Sequence, residues 1–353
     1  MTALIVQICR SVAPWKWLLP VAGVLCASCA MGPDYEAPQV ELEASFKNAG
    51  FQDAPPTGSW WAPFEDTELA RLIRLAGMDG PSVRAALARY DQARAGLGLA
   101  RVDKFPSVTG EAYARRQSDS GNANFSSGTY DDYRGALNLS WEIDLWGRVR
   151  RQVGVAEAEL KASGFEYQAA LLSLRGEVAR AYLSLRFADA EISLLERTAG
   201  FRKEAQRLMK ARFDGGASSS LDHGRAVTEY ESVVAELEQL RAQRGRFENA
   251  LATLTGRSAS GFRIPATGRL PRIPSAPSAV PSDLLRRRPD LAAAERRLAA
   301  ASERIGLVIA SYLPRLCITA GGGRRSLQSS DLFDSDSKLW SLGPELDLPL
   351  YQG

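Results

Sequence analysis

The sequence predicts a mixed α and β fold that is mainly helical, with long antiparallel coiled-coil helices and four β-strands arranged as an internal duplication. Three observations predict it. The chain contains 18 prolines, but none lies between Pro106 and Pro265. Within that span apolar residues recur every seven positions over 149–255, and segments in which apolar and polar residues alternate flank this region. Because proline does not fit inside long helices or central strands, its absence marks the span as regular structure.

The composition excludes several classes of protein. Lysine plus arginine number 44 against 41 aspartate plus glutamate, a net charge of +3, so nothing in the charge indicates a nucleic-acid partner. His223 is the single histidine, which excludes a histidine-cluster metal site. No nucleophile motif accompanies it. We therefore expect a protein that is not an enzyme and that has no cofactor or metal site, and a hydrolase that depends on His223 is the catalytic alternative.

The N-terminus has the pattern of an export signal. Arg10 and Lys16 precede a short apolar run at 17–25, which is interrupted by Pro20 and is too short to span a bilayer. The small residues before Cys29 resemble the lipobox of bacterial lipoproteins, although Cys26 stands where leucine is usual. We expect residues 1–28 to be a signal peptide and Cys29 to be the lipidated mature N-terminus. Ordinary secretion with cleavage nearby is the alternative.

The proline-free span predicts a helical hairpin over 149–255. Its first helix carries two seven-residue series of apolar residues, and the second helix repeats the pattern with one interruption, at Arg244. Between the helices, Gly215 and Gly216 can end a helix, and the spacing from Ser219 to Asp222 predicts a capping box. A coiled-coil spacer is the alternative. The apolar series are Leu171, Val178, Leu185 and Ile192; Leu174, Ala181, Ala188 and Leu195; Tyr230, Leu237 and Leu251; and Val233, Leu240, Phe247 and Leu254.

Segments with a two-residue period precede this hairpin. From Tyr133 to Leu145 apolar and polar residues alternate, which is typical of a transmembrane β-strand, and rings such as Trp141 and Trp146 suit a membrane interface. We expect strands at about 106–116 and 133–146, joined by a polar loop from Ser118 to Asp132. A half-buried strand of a soluble sheet is the alternative.

The pattern of helix, strand and strand returns late in the chain. Residues 291–312 resemble 83–104, Gly306 matches Gly98, and the later strand residues Glu345 and Asp347 match Glu142 and Asp144. Residues 83–256 are therefore predicted to be the first repeat and 291–353 the second. The second repeat stops where its own hairpin should begin, so roughly 110 symmetry-equivalent residues are absent, judging by 147–256. Gly321–Gly323 is expected to mark a bulge or bend.

These residues together resemble the outer-membrane factor family, the TolC and NodT type of lipoprotein channel that serves resistance-nodulation-division efflux systems. The matching motifs span essentially the whole chain. They are Met31 to Tyr35, Trp60 and Trp61, Ser140 to Arg148, Gly216 with Ser219 to Asp222, Arg287 to Asp290, Gly343 to Leu346, and Pro349 to Gly353.

The resemblance implies a homotrimer that is lipid-anchored in the outer membrane and extends into the periplasm. Each protomer would give four strands to a shared barrel, because four strands cannot close one and an open edge cannot lie in lipid. Its helices would form a periplasmic tunnel. Residues 29–82 would be an extended N-terminal segment and 257–290 a linker, both at the tunnel's equator.

The implied function is passive conduction of drugs or other solutes, driven by an inner-membrane pump through a periplasmic adaptor protein. The adaptor would dock at the tip of the hairpin, on Phe213, Gly215, Gly216, Ser219, Leu221 and Asp222. Residues near the periplasmic end of the strands could bias passage electrostatically or could be salt-bridged structural residues. They are Trp141, Glu142, Asp144, Trp146, Glu345 and Asp347. The alternatives are a truncated remnant that does not conduct, or a periplasmic structural coiled-coil lipoprotein.

Overall fold

The computed structural model describes residues 30–38, 58–119, 128–274 and 287–351. The predicted signal peptide and Cys29 lie outside these residues. In the described part the helices are α1 (Thr67–Asp79), α2 (Pro81–Val102), α3 (Arg148–Asp214), α4 (Ser220–Leu254) and α5 (Pro289–Ser311). No helix among them combines the length and the apolar composition that a bilayer crossing requires.

Four strands form one antiparallel sheet in the order β1-β2-β3-β4. They are β1 (Ser107–Asp119), β2 (Gly128–Ile143), β3 (Arg315–Ser326) and β4 (Lys338–Asp347). The arrangement of helix, strand and strand therefore occurs twice, as α2-β1-β2 and as α5-β3-β4. The strand-helix junctions around α2, α3 and α5 all lie at one end of this sheet.

The predicted strand bounds were wrong in two places. Strands β1 and β2 extend into the segment predicted as a loop, and they pair from Ser107 with Ser140 to Asp119 with Gly128. Cross-strand contacts such as Arg115 with Asp132 hold this extension, so its polar composition reflects pairing and not a loop. At the other end β2 stops at Ile143, three residues before the predicted end.

The predicted bulge at Gly321–Gly323 was also wrong, because the register of β2 and β3 runs unbroken through it. Gly323 is required for a different reason. A Cβ atom at this position would lie 2.3 Å from the carbonyl oxygen of Gly135 and 2.6 Å from Cα of Ala136. Glycine here allows the two strands to approach closely.

The two faces of the sheet differ in polarity, as the alternation predicts. One face is apolar and exposed to solvent, with Leu137 62% and Leu342 70% accessible. The pairing register places its members in continuous rows across the strands. They are Val108, Ala112, Leu137, Leu139, Trp141, Leu316, Ile318, Trp340, Leu342 and Leu346. The opposite face carries Thr109, Arg115, Asp132, Asn138, Glu142, Thr319, Arg325, Ser341, Glu345 and Asp347.

The predicted hairpin is present as α3 and α4, joined by five residues. Gly216 adopts a left-handed conformation with φ of 74°, as the sequence predicts for the stop. Ser219 caps α4, and its side chain and that of Asp222 form the predicted reciprocal box. The sharp turn and the restart of the helix are therefore both encoded locally.

By contacts the described residues divide into two compact units that do not follow chain order. One contains 30–38, 92–162 and 294–351 with the sheet, and the other contains 58–91, 163–274 and 287–293. The second unit holds the largest core, where α1 packs its apolar side against α3 and α4. Asp66 caps α1 by accepting from the backbone N–H groups of Glu68 and Leu69. The predicted division into two successive repeats remains a prediction.

Candidate functional site

The polar face of the sheet ends in acidic residues at the helix-bearing end. Glu142 accepts two hydrogen bonds of 2.7 Å from Arg148, and this contact raises the pKa of the Arg148 guanidinium. Asp347 accepts a bond of 2.7 Å from Arg315. Glu345 lies in register with Cys317, which in turn lies in register with Glu142. Of the four predicted carboxylates, Glu142 and Asp347 are thus salt-bridged at their positions on the strands.

Asp144 and Trp146 do not lie on the strand, which corrects their prediction. The carboxylate of Asp144 accepts from the backbone N–H groups of Val149 (3.1 Å) and Arg150 (3.0 Å), so it caps the start of α3. The indole N–H of Trp146 donates to the carbonyl of Pro314 at 2.8 Å. Gly147, which lies between Trp146 and the first residue of α3, has φ of 80°, which a residue with a side chain rarely adopts. The chain therefore turns from strand to helix here.

A charged cluster at the loop end of the polar face was missed by the sequence reasoning. Asp132 is fully buried, and its carboxylate accepts from Arg115 at 2.9 Å and from Arg325 at 2.8 Å. It joins three strands, because Arg115 lies on β1 and Arg325 on β3. Asp132 is an even number of residues from Arg134 and Glu142, so the alternation of the strand places all three side chains on the polar face. This spacing was the signal in the sequence that could have identified Asp132.

The hairpin tip presents apolar side chains that have little cover. Phe213 is 42% and Leu221 61% exposed. The ring of Phe213 stacks on His223 with their centroids 5.7 Å apart and their planes within 9°. Hydrogen bonds from Ser219 lower the pKa of the Asp222 carboxyl. A shallow open groove lies beside this turn, lined by Ser220, Leu221, Gly224, Arg225, Thr228 and Glu229.

A second apolar stripe runs along α3 toward the tip, on a different face from the buried series that contains Val178 and Leu185. Four residues spaced by seven lie on it, and between 47% and 77% of each is exposed. This spacing is that of a coiled-coil seam, which is stable only when another helix covers it. The residues are Phe187, Leu194, Phe201 and Leu208.

The described residues that follow Cys29 are attached to the strand-helix junction. The N–H of Met31 donates to the carbonyl of Trp146 at 3.1 Å. Arg151, which is buried, donates to the carbonyls of Met31 and Gly32 and pairs with Glu303 at 3.1 Å. Gly32, with φ of 94°, lies against Gly306, since a Cβ added to Gly32 would be 2.5 Å from the Cα of Gly306.

The residues described by the structure contain no group of three or more His, Cys, Asp or Glu side chains that could hold a metal ion. Glu142, Asp347 and Asp132 are instead each paired with arginine. The arrangement thus offers charged and apolar surfaces, and His223 is engaged by an aromatic ring.

Comparison with known proteins shows which family this chain resembles. Residues 72–257 and 280–353 match the family model described as outer membrane efflux protein. Outer membrane protein OprJ of Pseudomonas aeruginosa is 34% identical over 337 residues, covering 92% of this chain and 70% of OprJ. The antibiotic efflux pump outer membrane protein ArpC of Pseudomonas putida is 28% identical and covers 94% of this chain and 71% of its own length.

A solved structure is similar as well. The outer-membrane channel OprN superposes with a TM-score of 0.82 at 30% identity, covering 91% of this chain and 73% of that one. The match includes the helical hairpin and the sheet, since it extends over nearly all of the chain. This chain belongs to the outer membrane efflux protein family.

Proposed function

We propose that three copies of this chain form an outer-membrane channel that conducts drugs or other solutes passively, as the exit duct of a tripartite efflux system. The two-faced sheet is the observation that carries the proposal. Its apolar face is exposed in a single chain, which is unfavourable in water and favourable against lipid. Its polar face suits the wall of a water-filled pore.

The trimer follows from the edges of the sheet. Among the described strands, β1 and β4 each pair on one side only. A strand edge in hydrocarbon would leave its N–H and C=O groups unsatisfied, at a cost of several kcal/mol for each group. Three sheets joined edge to edge would form one closed barrel of twelve strands. The exposed stripe from Phe187 to Leu208 would be covered in the same assembly by neighbouring helices.

The lumen would carry charge at both ends of the sheet. Glu142, Glu345 and Asp347 lie toward the helices, and Arg115, Arg134 and Arg325 lie toward the loops. Because Glu142 and Asp347 are each paired with arginine, they fix the strand-helix junction, and Glu345 remains the carboxylate we assign to electrostatic selection. Conduction needs no reacting group, and His223 has no catalytic part in it.

The membrane anchor would be Cys29, lipidated after removal of residues 1–28. Its neighbour Ala30 lies against Gly147, where an added Cβ would be 2.9 Å from the Cα of Ala30. This contact supports the proposal because it places Ala30, the residue that follows Cys29 in the sequence, beside the end of β2, at the level where acyl chains would enter the inner leaflet.

The sheet is tested by charge substitutions at two adjacent residues on opposite faces. Leu137→Arg should cost about 2–4 kcal/mol of folding free energy in a bilayer and prevent insertion, because it places a cation against lipid. Asn138→Arg should insert normally and shift the ion selectivity of single channels in planar bilayers. Equal effects of the two variants would overturn the proposal. A wild type that neither forms detergent-stable trimers nor conducts ions in a bilayer would favour the structural coiled-coil lipoprotein.

The tip is tested by removing its exposed apolar side chains. The double variant Phe213→Ala with Leu221→Ala should lose binding of the periplasmic adaptor while its trimers keep their melting temperature. Leu270→Ala is the matched control, since Leu270 is 52% exposed elsewhere. Adaptor binding that is unchanged in the double variant would place the docking site away from Phe213 and Leu221. Surface plasmon resonance with immobilised trimers measures both variants.

A further inference from the structure

Two cations face each other on the apolar side of the sheet. Arg324 on β3 is in direct register with Lys338 on β4, so their side chains project from the same face. This face also carries Trp340 and Leu342, two and four residues beyond Lys338. Like charges directly opposite each other on paired strands are destabilising. The sheet therefore tolerates a repulsive pair where an apolar pair would be favourable.

The described surroundings supply no carboxylate to this pair. Arg324 donates to the backbone carbonyl of Asp334 at 2.8 Å, and its guanidinium lies 6.0 Å from the ring of Phe333. The side-chain ammonium of Lys338 makes no hydrogen bond or ion pair with any residue that the structure describes. Arg116 provides a contrast on the same face, because Asp131 lies 3.8 Å from it.

The loop between the two strands contains three aspartates, but in the part of the chain that the structure describes none of them forms an ion pair with Arg324 or Lys338. Asp331 accepts from the hydroxyl of Ser330 at 2.6 Å, and Asp336 accepts from Ser335 at 3.1 Å. Asp334 accepts the hydrogen bond from Arg324 through its backbone carbonyl oxygen. The pair is therefore a spot of positive charge on the apolar face of the sheet, with no carboxylate paired to it among the described residues.

The position of the pair indicates what neutralises it. Lys338 begins β4 and Arg324 lies two residues from the end of β3, at the end of the sheet opposite the helices. Trp340 and Phe333, 81% and 78% exposed, place aromatic rings at the same level, as at a membrane interface. In a channel whose helices are periplasmic, this level is the headgroup region of the outer leaflet.

We propose that Arg324 and Lys338 together bind the headgroup phosphate of an outer-leaflet lipid, whose acyl chains lie along Trp340 and Leu342. Arginine and lysine are the residues that bind phosphate in proteins, and an apolar surface directly beside them suits a molecule with both a phosphate and acyl chains. The inference rests on the proposed function, because only a membrane-inserted sheet presents this face to lipid.

Binding is measured by native mass spectrometry on full-length trimers in detergent, with bisphosphorylated lipid A as the probe. Lys338→Gln should weaken lipid A binding about tenfold, the effect of losing roughly 1.4 kcal/mol, and Lys338→Glu should weaken it further. Arg315→Gln is the matched control, since it removes a cation from the polar face of β3 at the other end. Inorganic phosphate at the same concentration should not displace the lipid.

A second measurement separates binding from folding. Without lipid, Lys338→Glu should raise the melting temperature of the trimer, because it replaces a repulsive pair with an attractive one. Lipid A binding that is equal in the wild type and in both Lys338 variants would overturn the inference, as would full displacement by inorganic phosphate. If the wild type inserts and conducts in that case, the proposed function stands. If the wild type does not insert into bilayers, the proposed function itself fails.

Discussion

The helix pair α3 and α4 has a covered part and an uncovered part, although the same seven-residue spacing runs through both. In the covered part Leu174, Val178, Leu185 and Leu251 are at most 3% exposed. In the uncovered part Phe201 is 77% and Leu208 52% exposed. Phe201 and Leu208 belong to a series that is two positions out of register with Val178 and Leu185, so they form a second stripe on another face of α3. The seven-residue period therefore specifies both stripes, and the surroundings decide which one is buried within one chain and which is available to another.

The two parts also differ in the burial of their ion pairs. In the covered part a buried ion-pair cluster, formed by Arg186, Asp189, Arg244 and Glu248, links the two helices to the segment from Ile264 to Thr267. Toward the tip, pairs such as Glu204 with Arg207 and Lys210 with Asp214 lie within one helix and are exposed. Such pairs contribute little to stability, which leaves the tip to be fixed by its cap and by its partners.

The largest expected effect comes from breaking the cluster at its centre. Asp189 accepts from Arg244 at 2.6 Å, from Arg186 at 3.1 Å and from the backbone N–H of Thr267 at 3.2 Å. Asp189→Ala would leave the buried Arg186 without its carboxylate and Arg244 with only the longer contact to Glu248, at 3.6 Å. The substitution should therefore cost about 3–5 kcal/mol of unfolding free energy. Thermal unfolding followed by circular dichroism measures it.

The control for this variant lies in the uncovered part. Glu204→Ala removes an exposed carboxylate that also pairs with arginine, and it should leave the melting temperature unchanged. A loss of equal size in both variants would mean that the two parts do not differ as their burial indicates.

A smaller effect is expected at Tyr182, which is 1% exposed beside the same cluster. Its hydroxyl donates to Asp66 at 2.7 Å and accepts from Arg186 at 3.0 Å. Burial, and then the hydrogen bond to Asp66, raise the pKa of Tyr182. Tyr182→Phe should therefore cost roughly 1 kcal/mol at neutral pH, through the lost hydrogen bonds.

The raised pKa also predicts a dependence on pH. A group whose pKa is raised in the folded state contributes its full stability below its unfolded pKa of about 10 and loses it as the pH rises above that value. The wild type should thus lose stability above about pH 10 more steeply than Tyr182→Phe does. Parallel curves from pH 8 to 11 would show that this phenol does not titrate differently on folding.

Sequence reasoning predicted what depends on local period and missed what depends on partners distant in the chain. The hairpin, its capping box at Ser219 and the two-faced sheet are local patterns, and the structure contains them. Arg244 looked like an interruption of the seam, because its partner Asp189 is 55 residues away. Asp132 looked like part of a loop, because only pairing with β1 and β3 shows that a charged residue lies on the polar face of a strand.

Asp144 shows the same limit at an element boundary. Its alternation with Glu142 placed it on the strand, whereas its carboxylate serves the first backbone N–H groups of α3. At a boundary between strand and helix, one residue can fit both the two-residue alternation of the strand and the position of a helix cap. At this boundary Asp144 is the cap. Gly147, which permits the turn between them, was the signal that would have moved the boundary.

The smallest effect on stability is expected at the cap of the tip. Ser219→Ala removes the acceptor for the N–H of Asp222 and should destabilise the first turn of α4 by about 1 kcal/mol. Global unfolding should not change, because no residue of the covered part contacts this turn through the cap. Hydrogen exchange of the amides near Asp222 should accelerate in the variant and nowhere else.

The capping box also predicts a dependence on pH at the tip. In the wild type, the lowered pKa of Asp222 means that the stability this carboxylate contributes to the tip is present above about pH 4 and is lost as the pH falls below it. Amide exchange at the tip, corrected for its intrinsic rate, should therefore accelerate on acidification in the wild type and stay constant in Ser219→Ala. A variant that follows the wild type through this range would show that the capping box does not hold the tip, and the uncovered part would then depend on its partners alone.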